Sequence, residues 1–178
     1  MRTPGALLAA AAAAIIVAGC GSSPPASPAQ HATTPAQQRT SSTPATASAA
    51  VLTQRMKAAG LPITSVTVYN ATADPNHLLG RQGGYTSKVA WVVPAAVSAG
   101  AGSPSSDPGG TEFGGGIEVF AATADAQSRL DELKAFKPPL GDGYDYLAGG
   151  AVLRLSNYLT PDQAARFRSA FESAAHQP

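Results

Sequence analysis

Hydrophobic and polar residues divide the chain of 178 residues into three zones. Residues 6–17 are continuously apolar, and residues 21–48 consist mostly of Ser, Thr, Pro, Ala and Gln. Beyond these, apolar positions recur at the spacings of helices and strands. A polar, Pro-rich stretch cannot bury enough apolar surface to offset the entropy of ordering it. We therefore expect a disordered linker over residues 20–48 and a single α+β domain over residues 49–176.

Helical spacing and capping residues predict three helices in the domain. The first covers residues 50–59 and stops at Gly60. The second begins with Thr123 as its cap, and the third begins with the capping box of residues 160–163, Thr-Pro-Asp-Gln. The inner face of the second helix is predicted to consist of Ala126, Leu130, Leu133 and Phe136.

Alternating and β-branched residues predict about four strands. Their expected ranges are residues 63–70, 85–93, 116–121 and 144–156. The order α-β-β-β-α-β-α favours an α+β fold, with an antiparallel sheet of about four strands and helices packed on one face. Within the last strand, Gly149-Gly150 indicates a bulge or sharp bend. Arg154 is expected either to face solvent or to pair across the sheet, with Glu118 as the partner that would matter.

Two segments between the strands are predicted to be irregular. Residues 74–80 suggest one helical turn, with Asp74 as its cap and Gly80 at its end. Residues 94–116 are long, polar and glycine-rich, which favours a mobile hairpin connection between two strands over the alternative of a functional lid.

Composition narrows the classes of function. Twelve Lys and Arg residues against eleven Asp and Glu residues give a formal net charge of +1. This charge balance lacks the basic patch that nucleic-acid binding requires. The single cysteine, Cys20, excludes a disulfide within the chain, so stability has to come from a packed core.

The first zone has the features of an export signal. Arg2 provides a positive charge ahead of 12 apolar residues, too few for a membrane span of about 20. The run Ile16-Val17-Ala18-Gly19-Cys20 then resembles the lipobox of bacterial lipoproteins. This resemblance implies a signal peptide over residues 1–19, removed before Cys20, and acyl chains on Cys20. The expected location is the outer face of the bacterial cell membrane, with the membrane as a partner through the lipid anchor.

Four segments of the domain carry a second resemblance. They are Asp74-Pro75-Asn76-His77-Leu78-Leu79-Gly80-Arg81, Tyr85-Thr86-Ser87-Lys88, Glu118-Val119-Phe120 and Tyr144-Asp145-Tyr146-Leu147. Together they resemble uncharacterised small lipoproteins of high-GC Gram-positive (actinobacterial) bacteria. The resemblance implies one anchored domain behind a linker and no catalytic residues.

One polar cluster between two predicted strands is the candidate ligand site. Its tentative ligand-binding residues are Asp74, Asn76, His77, Arg81, Tyr85 and Lys88, with Ser87 beside them. Arg81 has the paired donors that hold a carboxylate or phosphate. Alternatively the cluster is structural, since Asp and Asn are common turn and cap residues. The sequence leaves both interpretations open.

Three classes of function remain, of which the third is a structural spacer that binds no small ligand. The first is a non-catalytic binding or interaction module whose partner is another envelope protein or an apolar ligand such as a lipid. The alternative is a small envelope hydrolase in which His77, Ser87 and Asp74 converge. No G-x-S-x-G motif supports the hydrolase. One domain histidine and one cysteine are also too few for a transition-metal site, so neither a metal nor another cofactor is expected.

Overall fold

The structure, a computed structural model, describes residues 47–103, 110–136 and 143–178. The predicted signal peptide, Cys20 and the linker up to residue 46 lie outside the described residues. No helix in the described ranges is long and apolar enough to cross a membrane.

The described residues form four α-helices. They are α1 (Ala49–Ala58), α2 (Pro94–Ala96), α3 (Thr123–Ala135) and α4 (Pro161–His176). The Ser48 hydroxyl caps α1, and Thr160 and Gln163 form the predicted capping box of α4. By contrast, the prediction that Thr123 caps α3 is wrong. Ala122 occupies the cap position without a side-chain hydrogen bond, and Thr123 is the first helical residue.

Five antiparallel strands form one sheet. They are β1 (Thr64–Val68), β2 (Tyr85–Val92), β3 (Gly114–Phe120), β4 (Tyr144–Ala148) and β5 (Ala151–Leu155), in the spatial order β1-β2-β3-β5-β4. The α+β class with an antiparallel sheet is confirmed. The fifth strand arises because Gly149-Gly150 reverses the chain between β4 and β5 rather than bending a single strand. Gly149 has the positive φ of 56° that glycine adopts readily.

Helices cover both faces of the sheet, not one face as predicted. α1 and α4 pack on the face formed by Val89, Trp91, Ile117, Val119, Leu153 and Leu155, which we call the apolar face. α3 packs on the opposite face against Tyr85, Phe120 and Val152, and we call this the polar face. Consecutive residues such as Val119 and Phe120 are both buried, so each side of the central strands needs its own cover.

The apolar face is organised around Trp91, whose ring stacks on Phe167 of α4 with the ring centroids 6.4 Å apart. The glycines of β3 make this packing possible. A Cβ at Gly115 would lie 3.3 Å from the Trp91 ring and 2.6 Å from the Arg154 carbonyl oxygen, which is backbone and cannot move aside.

Three further predictions need correction. Residues 74–80 form successive turns rather than a helical turn, because the Asp74 carboxylate holds the loop and His77 has a φ of +53°. Phe136 is 44% exposed instead of lying on the inner face of α3, which ends at Ala135. The interval 94–116 contains α2, a π turn (Val97–Ala101) and a 3-10 turn (Thr111–Phe113), and β3 begins within it; residues 104–109 lie outside the described residues.

Candidate functional site

A row of charged side chains crosses the polar face on four neighbouring strands. Lys88 of β2 lies directly opposite Glu118 of β3, and Arg154 of β5 lies directly opposite Asp145 of β4. Glu118 and Arg154 are diagonal neighbours, since Glu118 is opposite Val152. The signs therefore alternate along the row. We call Lys88, Glu118, Arg154 and Asp145 the charged row.

Asp74, from the loop between β1 and β2, forms one end of this network. Its fully buried carboxylate accepts hydrogen bonds from the Tyr85 hydroxyl at 2.6 Å and from Lys88 Nζ at 2.9 Å. The backbone N–H groups of Leu78 and Leu79 donate to it at 2.8 and 3.1 Å. Burial alone would raise the pKa of Asp74, but the hydrogen bonds from Tyr85, Lys88 and the two amides outweigh it and lower that pKa.

Aromatic rings enclose the charge of Lys88. Its Nζ lies 4.8 Å from the centroid of the Tyr69 ring and 5.4 Å from that of the Tyr85 ring. Burial, together with the hydrogen bond to Asp74, raises the pKa of Tyr85, which keeps this hydroxyl a donor. Asp74, Tyr85 and Lys88 thus satisfy one another, and their arrangement fixes the loop against the sheet.

Glu118 occupies the centre of the charged row and is 1% exposed. Arg129 of α3 donates to its carboxylate through Nε at 2.8 Å and Nη2 at 3.3 Å, a two-pronged contact that ties α3 to β3. Arg129 also pairs with Glu132 at 2.8 Å. Burial by itself would lower the pKa of Arg129. The hydrogen bonds and negative charges of Glu118 and Glu132 outweigh burial and raise that pKa.

Arg154 is the least satisfied member of the charged row. Its nearest carboxylate oxygens, on Glu118 and Asp145, are each 3.6 Å away, which is longer than a hydrogen bond. Its Nε is buried and has no hydrogen-bond partner among the described residues. Burial raises the pKa of Asp145, and the charge of Arg154 opposes that rise. Arg154 is therefore a guanidinium with donor capacity to spare.

An open cleft of about 420 Å³ lies above this arginine. It is lined by Asn76, Leu78, Arg129, Glu132, Leu133, Phe136 and Arg154. The lining thus combines two guanidinium groups, one amide and one carboxylate with three apolar side chains. Such a combination of an apolar wall and a few converging polar groups is typical of small-molecule sites.

The sequence-predicted ligand residues separate into three groups. Asp74, Tyr85 and Lys88 come together, but they are buried beneath the surface. Asn76 lines the cleft, and its Nδ2 lies 3.5 Å from Glu118 Oε1. His77 and Arg81 are exposed and are not among the residues that line the cleft. A ligand-binding role for these last two remains a prediction.

The structure does not join the residues of the hydrolase alternative. Ser87 Oγ accepts a hydrogen bond from the N–H of Ala49 at 2.9 Å, at the start of α1. This helix packs on the apolar face, whereas the carboxylate of Asp74 lies on the polar face with Lys88. His77 has no side-chain hydrogen bond to either residue in the described part of the chain.

Most residues of the cleft, including Arg129, Glu132 and Phe136, were not predicted from the sequence as site residues. One signal was available for Arg129, which follows Ala126 by three residues and precedes Leu133 by four, and so belongs to the inner face of α3. The pairing of Arg154 with Glu118, considered from the sequence, is present. Glu132 and Phe136 carried no comparable signal, because their positions depend on where α3 crosses the sheet.

Neither a metal-ligand cluster among the described residues nor a similarity to known proteins assigns this site. Within residues 47–103, 110–136 and 143–178, no group of three or more His, Cys, Asp and Glu side chains could hold a metal ion. No protein-family model, curated protein or solved structure matches this chain.

Proposed function

We propose that this protein is a bacterial envelope lipoprotein, anchored through Cys20 at the outer face of the cell membrane, whose domain binds a ligand in the cleft beside α3. The domain acts as a binding module and not as a catalyst. Arg129 and its carboxylate partners Glu118 and Glu132 hold one another in place near the cleft, and Arg154 beside them has donors that a ligand can fill.

The anchor is supported by the order of features at the start of the chain. Arg2, the apolar run of residues 6–17 and the small residues before Cys20 follow one another as in a lipoprotein signal. Two acyl chains provide stable membrane attachment, since each buried CH₂ contributes about 0.8 kcal/mol. Cys20→Ala should therefore release the chain from the membrane fraction or stop its processing. Retention of the variant at its mature size in that fraction would contradict the anchor.

The binding role rests on one observation: the cleft exposes Phe136 beside a guanidinium, Arg154, whose hydrogen-bonding capacity is unfilled. A half-exposed aromatic ring and an unsatisfied donor both gain from contact with a ligand. Arg129 is held by Glu118 and Glu132, so the wall that carries these groups is fixed before a ligand arrives. A site whose groups are already in place loses little entropy on binding.

Native mass spectrometry of the full lipidated chain tests the binding role. The protein should be extracted from membranes of a high-GC Gram-positive host, so that a natural ligand is present. We expect an additional mass that is lost on denaturation and is diminished in Phe136→Ala. Arg168→Gln is the matched control, because Arg168 is exposed on α4, which packs on the apolar face of the sheet, and pairs with Glu172. A wild-type mass equal to that of the acylated chain alone would contradict the binding role.

A further inference from the structure

The charges around the cleft restrict the kind of ligand that fits it. Arg129 and Arg154 supply two positive charges. The carboxylates that contact them, Glu118, Glu132 and Asp145, supply three negative charges. A simple anion would thus meet a region of net charge −1, although Arg154 presents donors suited to a carboxylate. A simple cation would leave those donors unfilled.

Both requirements are met by a ligand that carries an ammonium group as well as a carboxylate. Glu132 can receive the ammonium group, since its side chain is 55% exposed and only its Oε2 is held by Arg129. Arg154 can receive the carboxylate through its Nη groups, because its side chain is 22% exposed and lines the cleft, whereas Nε is buried 3.6 Å from Asp145. Charge-assisted hydrogen bonds at both ends would fix the orientation of the ligand.

The apolar residues of the cleft indicate the third feature of the ligand. Phe136, Leu133 and Leu78 lie on the same cleft as the two charged groups. An apolar side chain placed against them would remove exposed hydrocarbon from water. A purely apolar lipid suits the cleft less well, because it would cover Arg154 without supplying an acceptor.

We propose that the cleft binds a zwitterionic ligand with an apolar side chain, either a free amino acid or a short peptide. The carboxylate lies on Arg154, the ammonium group on Glu132 and the side chain on Phe136. This inference rests on the proposed binding function, and it adds the chemical class of the ligand.

A panel of four probes tests the two charged groups in turn. L-phenylalanine has both charges, N-acetyl-L-phenylalanine lacks the ammonium group, and L-phenylalaninamide lacks the carboxylate. The probes are titrated to roughly millimolar concentration into ¹⁵N-labelled mature chain, residues 20–178 with Cys20→Ser. The measurement is the shift of the backbone amides and of the Arg154 Nε–H signal. Ala-Phe, which has both charges at a wider spacing, represents the peptide form.

We expect L-phenylalanine or Ala-Phe to shift Arg154 Nε–H together with the amides of residues 132–136, and the two blocked probes to bind about tenfold more weakly. Arg154→Lys keeps the charge but removes the planar Nη donors, and it should weaken binding by about the same factor. Glu132→Gln removes the carboxylate charge at a half-exposed position and should remove the preference for a free ammonium group. Arg168→Gln should bind as the wild type does.

Two results would overturn the proposal. One is equal binding of the charged and blocked probes, which would show that neither charge is recognised. The other is the absence of any shift at the cleft with all four probes. If either occurs while the native chain still carries a mass that Phe136→Ala diminishes, the ligand class is wrong and the binding function stands. If the native chain carries no added mass, the binding function itself fails.

Discussion

The two faces of the sheet are buried by different means. On the apolar face, α1 and α4 cover a cluster of hydrophobic residues that includes Trp91, Phe167 and Phe171. On the polar face, α3 covers a smaller apolar cluster, and four charged residues are buried there: Asp74, Lys88, Glu118 and Arg129. Apolar burial stabilises a fold directly, whereas buried ion pairs roughly offset their own desolvation. Stability is thus expected to come mainly from the apolar face, and recognition from the polar face.

Removing a large ring from the apolar face should have the largest effect on stability. Phe167→Ala would leave a cavity beside Trp91 and is expected to lower the free energy of unfolding by about 3–5 kcal/mol. Urea unfolding monitored by far-UV circular dichroism measures this change. A loss below about 1 kcal/mol would show that the apolar face is not the main source of stability.

The buried ion pair of Lys88 and Asp74 on the polar face should lose less stability when both partners are replaced than when Lys88 alone is replaced. Lys88→Met leaves the Asp74 carboxylate buried without its cation. We expect a loss of about 3 kcal/mol, at the low end of the range for broken buried pairs because Tyr85 and two amides still donate to Asp74. Adding Asp74→Asn should recover part of this loss, since no uncompensated charge then remains.

A double-mutant cycle from urea unfolding of the wild type, both single variants and the double variant gives the coupling energy. Additive losses would contradict the expected coupling between Lys88 and Asp74. In that case the polar face would be stabilised by independent contacts, and its contrast with the apolar face would disappear.

The contrast between the faces also marks the limit of prediction from the sequence. The capping box at Thr160 and the stop at Gly60 are local, so α1 and α4 could be placed correctly. Asp74 could be identified as a loop residue, but its partners are 11 and 14 positions away, and the register that brings them together is set by strand pairing. The covering of the polar face by α3 depends on tertiary packing for the same reason.

Acid should weaken the polar face selectively. Because the pKa of Asp74 is lowered in the folded state, its contribution to stability is complete above its unfolded pKa of about 4 and is lost as the pH falls below that value. The stability advantage of the wild type over Asp74→Asn should decrease by about 2–3 kcal/mol between about pH 6 and pH 2. Unfolding curves at both pH values measure it.

The effect of Asp145 on stability should have the opposite pH dependence to that of Asp74. Its pKa is raised by burial, so its protonation stabilises the folded state as the pH falls toward 4. Asp145→Asn should therefore lose less stability near neutral pH than Asp74→Asn does. If the stability difference between the wild type and Asp74→Asn is the same at both pH values, the ion pair of Asp74 and Lys88 does not lower the pKa of Asp74 as expected.

The capping box of α4, on the apolar face, should contribute less to the free energy of unfolding than the buried residues above do. The Thr160 hydroxyl accepts from Gln163 N, and Gln163 Oε1 accepts from Thr160 N at 2.8 Å. Thr160→Ala removes the first bond and should cost about 1 kcal/mol. Thr160→Ser is the matched control and should retain most of the stability, because it keeps the hydroxyl.

The smallest expected effect is at His77, beside Asp74 on the polar face. Its φ of +53° is a conformation that glycine adopts without cost and that histidine tolerates better than most residues. His77→Gly should therefore raise the free energy of unfolding by about 0.5 kcal/mol. His77→Ala is the matched control, since it removes the imidazole but keeps the Cβ and should not gain stability. If both variants instead lose stability equally, the imidazole makes a favourable contact, and the loop of residues 74–80 is held by more than the carboxylate of Asp74.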